Sequence, residues 1–209
     1  DVLNSYNEAW GVAPAFSEAE REKFVREGGT DWQDEILRTA MTHNVQLSSS
    51  GGNDQMVYYL SAGYHDEEGI IINNDLNRFS IRSNLDINVS EKFTVGNSFT
   101  AAYIIENGVQ GGGRLPETGP GPVSASTDMP PTDPVYNEDG SYFLYPTRSD
   151  QPITNPVAIA ETQDINYSTL RTMGTFFVDY EFIPALSGRI NLGYDVLGRK
   201  ESLYYPRTT

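Results

Sequence analysis

Chemistry needs particular side chains at particular spacings, and few such arrangements occur in this sequence. His43 and His65 stand far apart, form no His-x-x-x-His pair and have no cysteine to join them. A zinc or other metal site is therefore not expected, and the histidines read as polar residues at strand ends. The acids of "DEEG" at 66–69 could serve as the paired carboxylates of glycoside hydrolysis. Consecutive acids in a turn more often meet water, so no catalytic residue and no cofactor are assigned. "GGGR" at 111–114 is a weak phosphate nest and reads as flexible loop. "PVYNEDGSY" imitates part of a calcium loop, but its first and last ligand positions fall on Val135 and Pro146, which offer no carboxylate.

Recognition without catalysis has better material. Tyr136 and Tyr142, with Asn137, Asp139 and Arg148, combine aromatic platforms with planar polar groups, the pairing that sugar binding uses. These five are the candidate ligand-binding residues. The plainer alternative is that the aromatics of this stretch, Phe143 and Tyr145 included, pack the loop against its neighbours. "NEDGSY" is expected to form a small hairpin with Asp139-Gly140 in the turn.

Fourteen basic residues against twenty-nine acidic ones give a formal charge of −15, which disfavours nucleic acid and anionic headgroups as partners. The longest apolar run is about five residues, against about twenty for a spanning helix. A membrane β-barrel is not excluded in this way, because its strands carry apolar character in alternation.

The elements that would position the candidates begin with two short helices. Ser17 with Glu20 forms a capping box before "EAEREKFVRE", and Thr30 with Gln33 is expected to start "DWQDEILRTA", where Trp32 and Ile36 share a face. Both helices are mostly polar and are expected to lie against something rather than to form a core. Beyond Met41 the period changes to two. Phe79, Ile81, Leu85, Ile87 and Val89 fall on one side of a ribbon whose other side carries Arg78, Arg82, Asn84 and Asp86. The pattern returns late in the chain, where Leu170, Phe176 and Val178 oppose Arg171 and Asp179, and Ile190 and Leu192 oppose Arg189.

Six strands are expected, and their connections alternate strictly between short and long. Outer-membrane barrels are built this way, with tight periplasmic turns and extended outer loops. A soluble sandwich has shorter strands and no reason to gather its long connections at one end. The expected fold is therefore all-β: a segment of an antiparallel up-and-down transmembrane barrel, apolar face toward outer-membrane lipid. Arg78, Arg82, Asp86, Arg171, Asp179 and Arg189 would then face the lumen. The divisions are 1–40, an extracellular loop with short helices; 41–105, strands; 106–166, a long extracellular loop; and 167–209, strands. Tyr64 and Tyr103 at one level, and Phe93, Tyr180 and Phe182 at the other, read as interfacial girdle residues. The stretch from Asn107 to Asp164 holds nine of the twelve prolines, and a span this long is normally functional or disordered.

"GGTDWQDEILRTAMTHNVQLSSSGG" (28–52), "YYLSAGYHDEEGIIINNDLNRFSIRSNLD" (58–86), "NPVAIAE" (155–161) and "INLGYD" (190–195) together resemble the early barrel region of SusC-like TonB-dependent outer-membrane transporters. The resemblance implies a barrel of about twenty-two strands around a plug. It also implies import of oligosaccharides or peptides, a SusD-like surface lipoprotein as lid, and coupling to TonB through a segment absent from this chain. Six strands cannot close a barrel, for which about eight is the smallest usual number, so the chain is expected to be a piece of a larger protein. The reading from another class is a secreted β-rich glycan-binding module or adhesin, which would be soluble without amphiphile. A hydrolase depending on Asp66, Glu67 and Glu68 is a third.

Overall fold

The computed structural model of the chain describes residues 16–109, 114–115, 119–144, 146 and 154–206. Six long strands dominate it: β1 (Thr42–Gly52), β2 (Met56–Glu68), β3 (Asp75–Ser90), β4 (Phe93–Gly108), β7 (Asp164–Ile183) and β8 (Leu186–Tyr204). Between β4 and β7 lie two-residue strands, β5 (Arg114–Leu115) and β6 (Gly119–Pro120), which pair only with each other. The helices are α1 (Glu18–Glu27), α2 (Trp32–Ile36), α3 (Pro122–Asp128) and α4 (Pro156–Thr162).

The large sheet has the order β1-β2-β3-β4-β7-β8, each strand antiparallel to its neighbour. This is an up-and-down meander. Residues 53–55, 91–92 and 184–185 make the connections at one end, while 69–74 and 109–163 make those at the other, as the expected alternation of turns requires.

Directly paired residues of antiparallel strands share a face. The register therefore aligns Tyr64, Phe79, Tyr103 and Leu170 in one row, and Ile87, Val95, Val178 and Ile190 in another, on one apolar face. Tyr64 stacks obliquely on Phe79 at 4.9 Å, and at the short-turn end Phe93, Tyr180 and Phe182 form a chain of edge contacts of 6.3 and 5.1 Å. Ten residue steps separate Tyr103 from Phe93 and Leu170 from Tyr180. At ~3.4 Å per residue and a tilt near 45° that is about 24 Å of height, the thickness of a barrel's lipid band. The strands continue past it toward the long connections, where that same face carries mainly polar residues such as Asp75, Asn77, Asn107, Asn166 and Ser168.

The sheet has no core of its own. Among the described residues the buried apolar side chains are Trp32, Ile36, Val109, Ala125, Met129, Val157, Ala158, Ile159, Ala160 and Ile165, and of these only Ile165 belongs to a long strand. Trp32, Ala125, Met129 and Ile159 form a cluster, with Val135 and Phe143 packed on it. The expectation that the two N-terminal helices stay outside any core holds for α1, which buries nothing, and fails for α2, whose Trp32 and Ile36 are both buried. The cause lies in residues far along the chain: α3 and α4 cover that face, and the Trp32 indole donates to Pro130 O at 2.8 Å.

The capping box of Ser17 and Glu20 forms as read. The second start differs by one position. Asp31 caps α2, accepting from the backbone N–H groups of Gln33 and Asp34, because the Thr30 hydroxyl is engaged elsewhere, donating to Asp133 O at 2.7 Å.

Candidate binding surface at the long-connection end

A cap of loops and short helices stands over the end of the sheet where the long connections lie. The turn from 69 to 74 ties it down. Ile72 N–H donates to Ile36 O at 3.0 Å and Arg38 N–H to Ile70 O at 2.8 Å, while the Arg38 guanidinium reaches Gly69 O and Asn74 O. Asn73, held at φ 60, donates from its amide to Ala160 O at 3.0 Å at the end of α4. Asn tolerates this left-handed backbone better than most residues.

Within the cap, four of the five sequence-derived ligand candidates come together in one hairpin. Tyr136 and Tyr142 pair across it, their rings 5.4 Å apart. Its turn is a residue longer than the Asp139-Gly140 reading supposed. Gly140 N–H donates to Asn137 O and Asn137 N–H to Ser141 O, with only Gly140 at positive φ (83°). That is a type I turn followed by a left-handed glycine, the usual three-residue hairpin loop.

The polar groups of this hairpin are largely occupied by it. Asn137 donates to Ser141 Oγ and Tyr142 O. Asp139 accepts from the Ser141 hydroxyl and backbone N–H, which holds its carboxyl below the usual range. The Tyr142 hydroxyl donates to Glu161 in a short bond. That bond, then burial and the nearby negative charge, pushes the Tyr142 phenol up to about 12. Burial, with Glu161 and Glu35 near by, also raises Tyr136. Tyr136 keeps nearly half its surface exposed and offers the hairpin's open ring face. Phe143 packs on the core cluster, while Tyr145 and Arg148 lie outside the described residues.

The six charged residues read as one strand face do share a face. Arg82, Thr100, Met173 and Asp195 are in register across β3, β4, β7 and β8, and Asp179 sits directly opposite Arg189. Arg171 holds Asp195 through two bonds of 3.1 and 2.7 Å. Arg189 lies over the Phe177 ring at 3.9 Å, beside Gly96 and Asp86.

Sequence reasoning missed a groove where this face meets the cap. It encloses about 410 Å³ and is lined by Glu67, Leu76, Glu106, Tyr167 and Arg199, with Asn107 at its rim. Arg199 stacks on Tyr167 at 4.2 Å, and Asn107 donates to Asp75 at 2.9 Å. The signal lay in the polar strand ends, which become a lined groove only when five strands are set at one height.

No protein-family model matches the chain. It is 33% identical over 196 residues to the TonB-dependent receptor P3 of Formosa agariphila, covering 92% of this chain and 19% of that protein. It is 29% identical to the TonB-dependent receptor SusC of Bacteroides thetaiotaomicron, covering 78% of this chain and 18% of SusC. The chain thus spans about a fifth of these relatives' length. Among solved structures, the fold matches the RagAB peptide importer in its open-open state with a TM-score of 0.71 at 19% identity, over 97% of this chain and 25% of that one. The closed-closed state matches with a TM-score of 0.67 at 22% identity, over 85% and 20%.

Proposed function

We propose that this chain, which belongs with the SusC-like TonB-dependent receptors, forms a stretch of the wall and outer loops of an outer-membrane importer of oligosaccharides or peptides. The observation that carries the reading is the apolar sheet face. Phe79, Ile81, Leu170, Phe176, Ile190, Leu192, Tyr194 and Val196 are each about half exposed or more, while the buried apolar residues gather in the cap. An apolar surface this extensive on a water-soluble monomer would be an aggregation site; bounded by two aromatic rows about one bilayer apart, it suits lipid.

The unpaired edges of β1 and β8 support the same reading. Open edges are not tolerated in hydrocarbon, so the strands flanking this segment in a complete barrel would pair with them. The opposite face, with Arg78, Arg82, Asp86, Arg171, Asp179 and Arg189, would line the lumen. The cap would be the extracellular surface, where a SusD-like lipoprotein closes as a lid over captured substrate before TonB-driven displacement of a plug. Tyr136, with Asn137, Asp139 and Tyr142, is the proposed ligand contact on that surface. The Tyr136 ring supplies the platform, and the hydrogen bonds of the hairpin hold it in place.

The test is a pair of substitutions on opposite faces of β3 in the full-length receptor, with stability measured by denaturant unfolding from lipid vesicles. Ile81→Arg is expected to cost about 2–4 kcal/mol and Asn84→Ser under about 0.5 kcal/mol. Equal tolerance on both faces would remove the lipid assignment. The competing reading, a secreted glycan-binding module, requires the isolated chain to stay monomeric without amphiphile.

A further inference from the structure

One side chain on the apolar face does not suit hydrocarbon. Asn97 of β4 pairs directly with Leu85 of β3 and Phe176 of β7, so it projects from the same side of the sheet as they do. It stands four residue steps from Phe93 and six from Tyr103 on the same strand, near the middle of the band between the two aromatic rows. Along all six long strands between those rows, no other described residue of this face carries a carboxamide or a charge. The other side chains there that can donate a hydrogen bond are hydroxyls, such as Ser49, Ser83 and Thr172.

A hydroxyl has one hydrogen to place, whereas a primary carboxamide has two and an acceptor oxygen as well. The next residue, Ser98, donates to Asn84 at 2.8 Å on the polar face. No such bond reaches the Asn97 carboxamide among the described residues. Lipid tails offer it neither donor nor acceptor, and an amide left unmet in an apolar medium is costly. Beside Asn97 the face is also notched. A groove of about 300 Å³ is lined on this side by Leu47, Leu60, Ala62, Ile81, Ser83 and Phe99, where the small Ala62 and Ser83 lie among larger side chains.

We propose that Asn97 marks an interface at which a second copy of the receptor packs against this wall within the membrane. Two identical barrels inserted the same way hold Asn97 at the same depth, so a twofold axis along the bilayer normal brings the two carboxamides together. Each then donates an N–H to the other's oxygen, and a group without a partner in one copy is satisfied by its twin. Other occupants fit less well. A different membrane protein would need a matching amide at this depth, which a second copy carries of necessity, and a charged partner finds no opposite charge on this band. The same lack of charge leaves two like faces free of repulsion. The groove beside Phe99 gives the twin's side chains room to enter, the use that small residues have where membrane segments associate closely. This inference rests on the importer reading, in which the apolar face meets lipid.

The experiment uses the full-length receptor in lipid vesicles, carrying donor and acceptor dyes and diluted stepwise in lipid, with association read by energy transfer. The unaltered receptor is expected to dimerise. Asn97→Leu should weaken the dimer at least about tenfold, read as the protein-to-lipid ratio at half association, and Asn97→Gln should keep most of it. In a full-length background without other cysteines, Asn97→Cys should give a disulfide-linked dimer on oxidation. Val45→Cys, exposed on the same face but three strands away, should not. An inserted receptor that stays monomeric at every dilution, keeps its dimer in Asn97→Leu, loses it equally in Asn97→Gln, or cross-links as readily through position 45 overturns the interface and leaves the importer reading intact. A receptor that does not insert into vesicles overturns the importer reading, and the interface with it.

Discussion

With its side chain fully buried, Asn155 donates through Nδ2 to Val135 O at 2.7 Å and Phe143 O at 3.0 Å, while its Oδ1 caps α4 by accepting from Val157 and Ala158. One side chain thus ties the hairpin of Tyr136 and Tyr142 to the helix that supplies Ile159 to the core. Asn155→Ala removes a helix cap and takes away the donor to Phe143 O, which together should cost about 2–3 kcal/mol, while Val135 O still accepts from the Phe143 N–H. Hydrogen exchange is expected to accelerate in α4 and in 135–143 while β2 and β3 keep their protection. Tyr142 makes the second tie, to Glu161. Its phenol is raised, so the bond's contribution is complete below pH about 10 and is lost as pH rises through about 12. Ultraviolet titration of the receptor against Tyr142→Phe should isolate that step, and Glu161→Gln should move it back toward 10. The importance of Asn155 was not legible in "NPVAIAE", which announces a capped helix and nothing of the two carbonyls brought to it from another segment.

At the scale of elements, the strands solve a packing problem with glycine. A Cβ at Gly96 would collide with the Phe177 ring and the Asp86 carboxylate, and one at Gly174 would meet the Tyr194 ring at 2.8 Å. Each aromatic lies over a cross-strand neighbour that has no side chain, one on either face of the sheet. Gly96→Val gives the strand a better β-former but must displace Phe177 and the Arg189 stacked upon it. The expected net effect is destabilisation of about 1–3 kcal/mol, visible in denaturant unfolding, with the Phe177→Ala background restoring part of it. The strands themselves were legible because alternation is local, and so was the capping box of α1. The start of α2 was misplaced by one residue because Thr30 and Asp31 can both cap, and only the distant Asp133 carbonyl decides between them by taking the Thr30 hydroxyl.

As a whole the molecule is inside out by the standard of a soluble domain. The sheet exposes an apolar band on one face and charges on the other, and its buried side chains sit at one end, in a small core assembled from residues near 32, 125–129 and 159. The cap has its own core, whereas in the proposed barrel the wall beneath it would take its stability from lipid and from flanking strands. Strand period, the order of short and long turns and the division of each strand into an apolar and a charged face were legible in the sequence alone, because each depends on residues adjacent along the chain. The height at which Glu67, Glu106 and Glu201 align, the burial of Trp32, and the groove at the rim belong to the tertiary structure. Register and loop closure set these positions, and both are sums over contacts between residues far apart in sequence that no local pattern encodes.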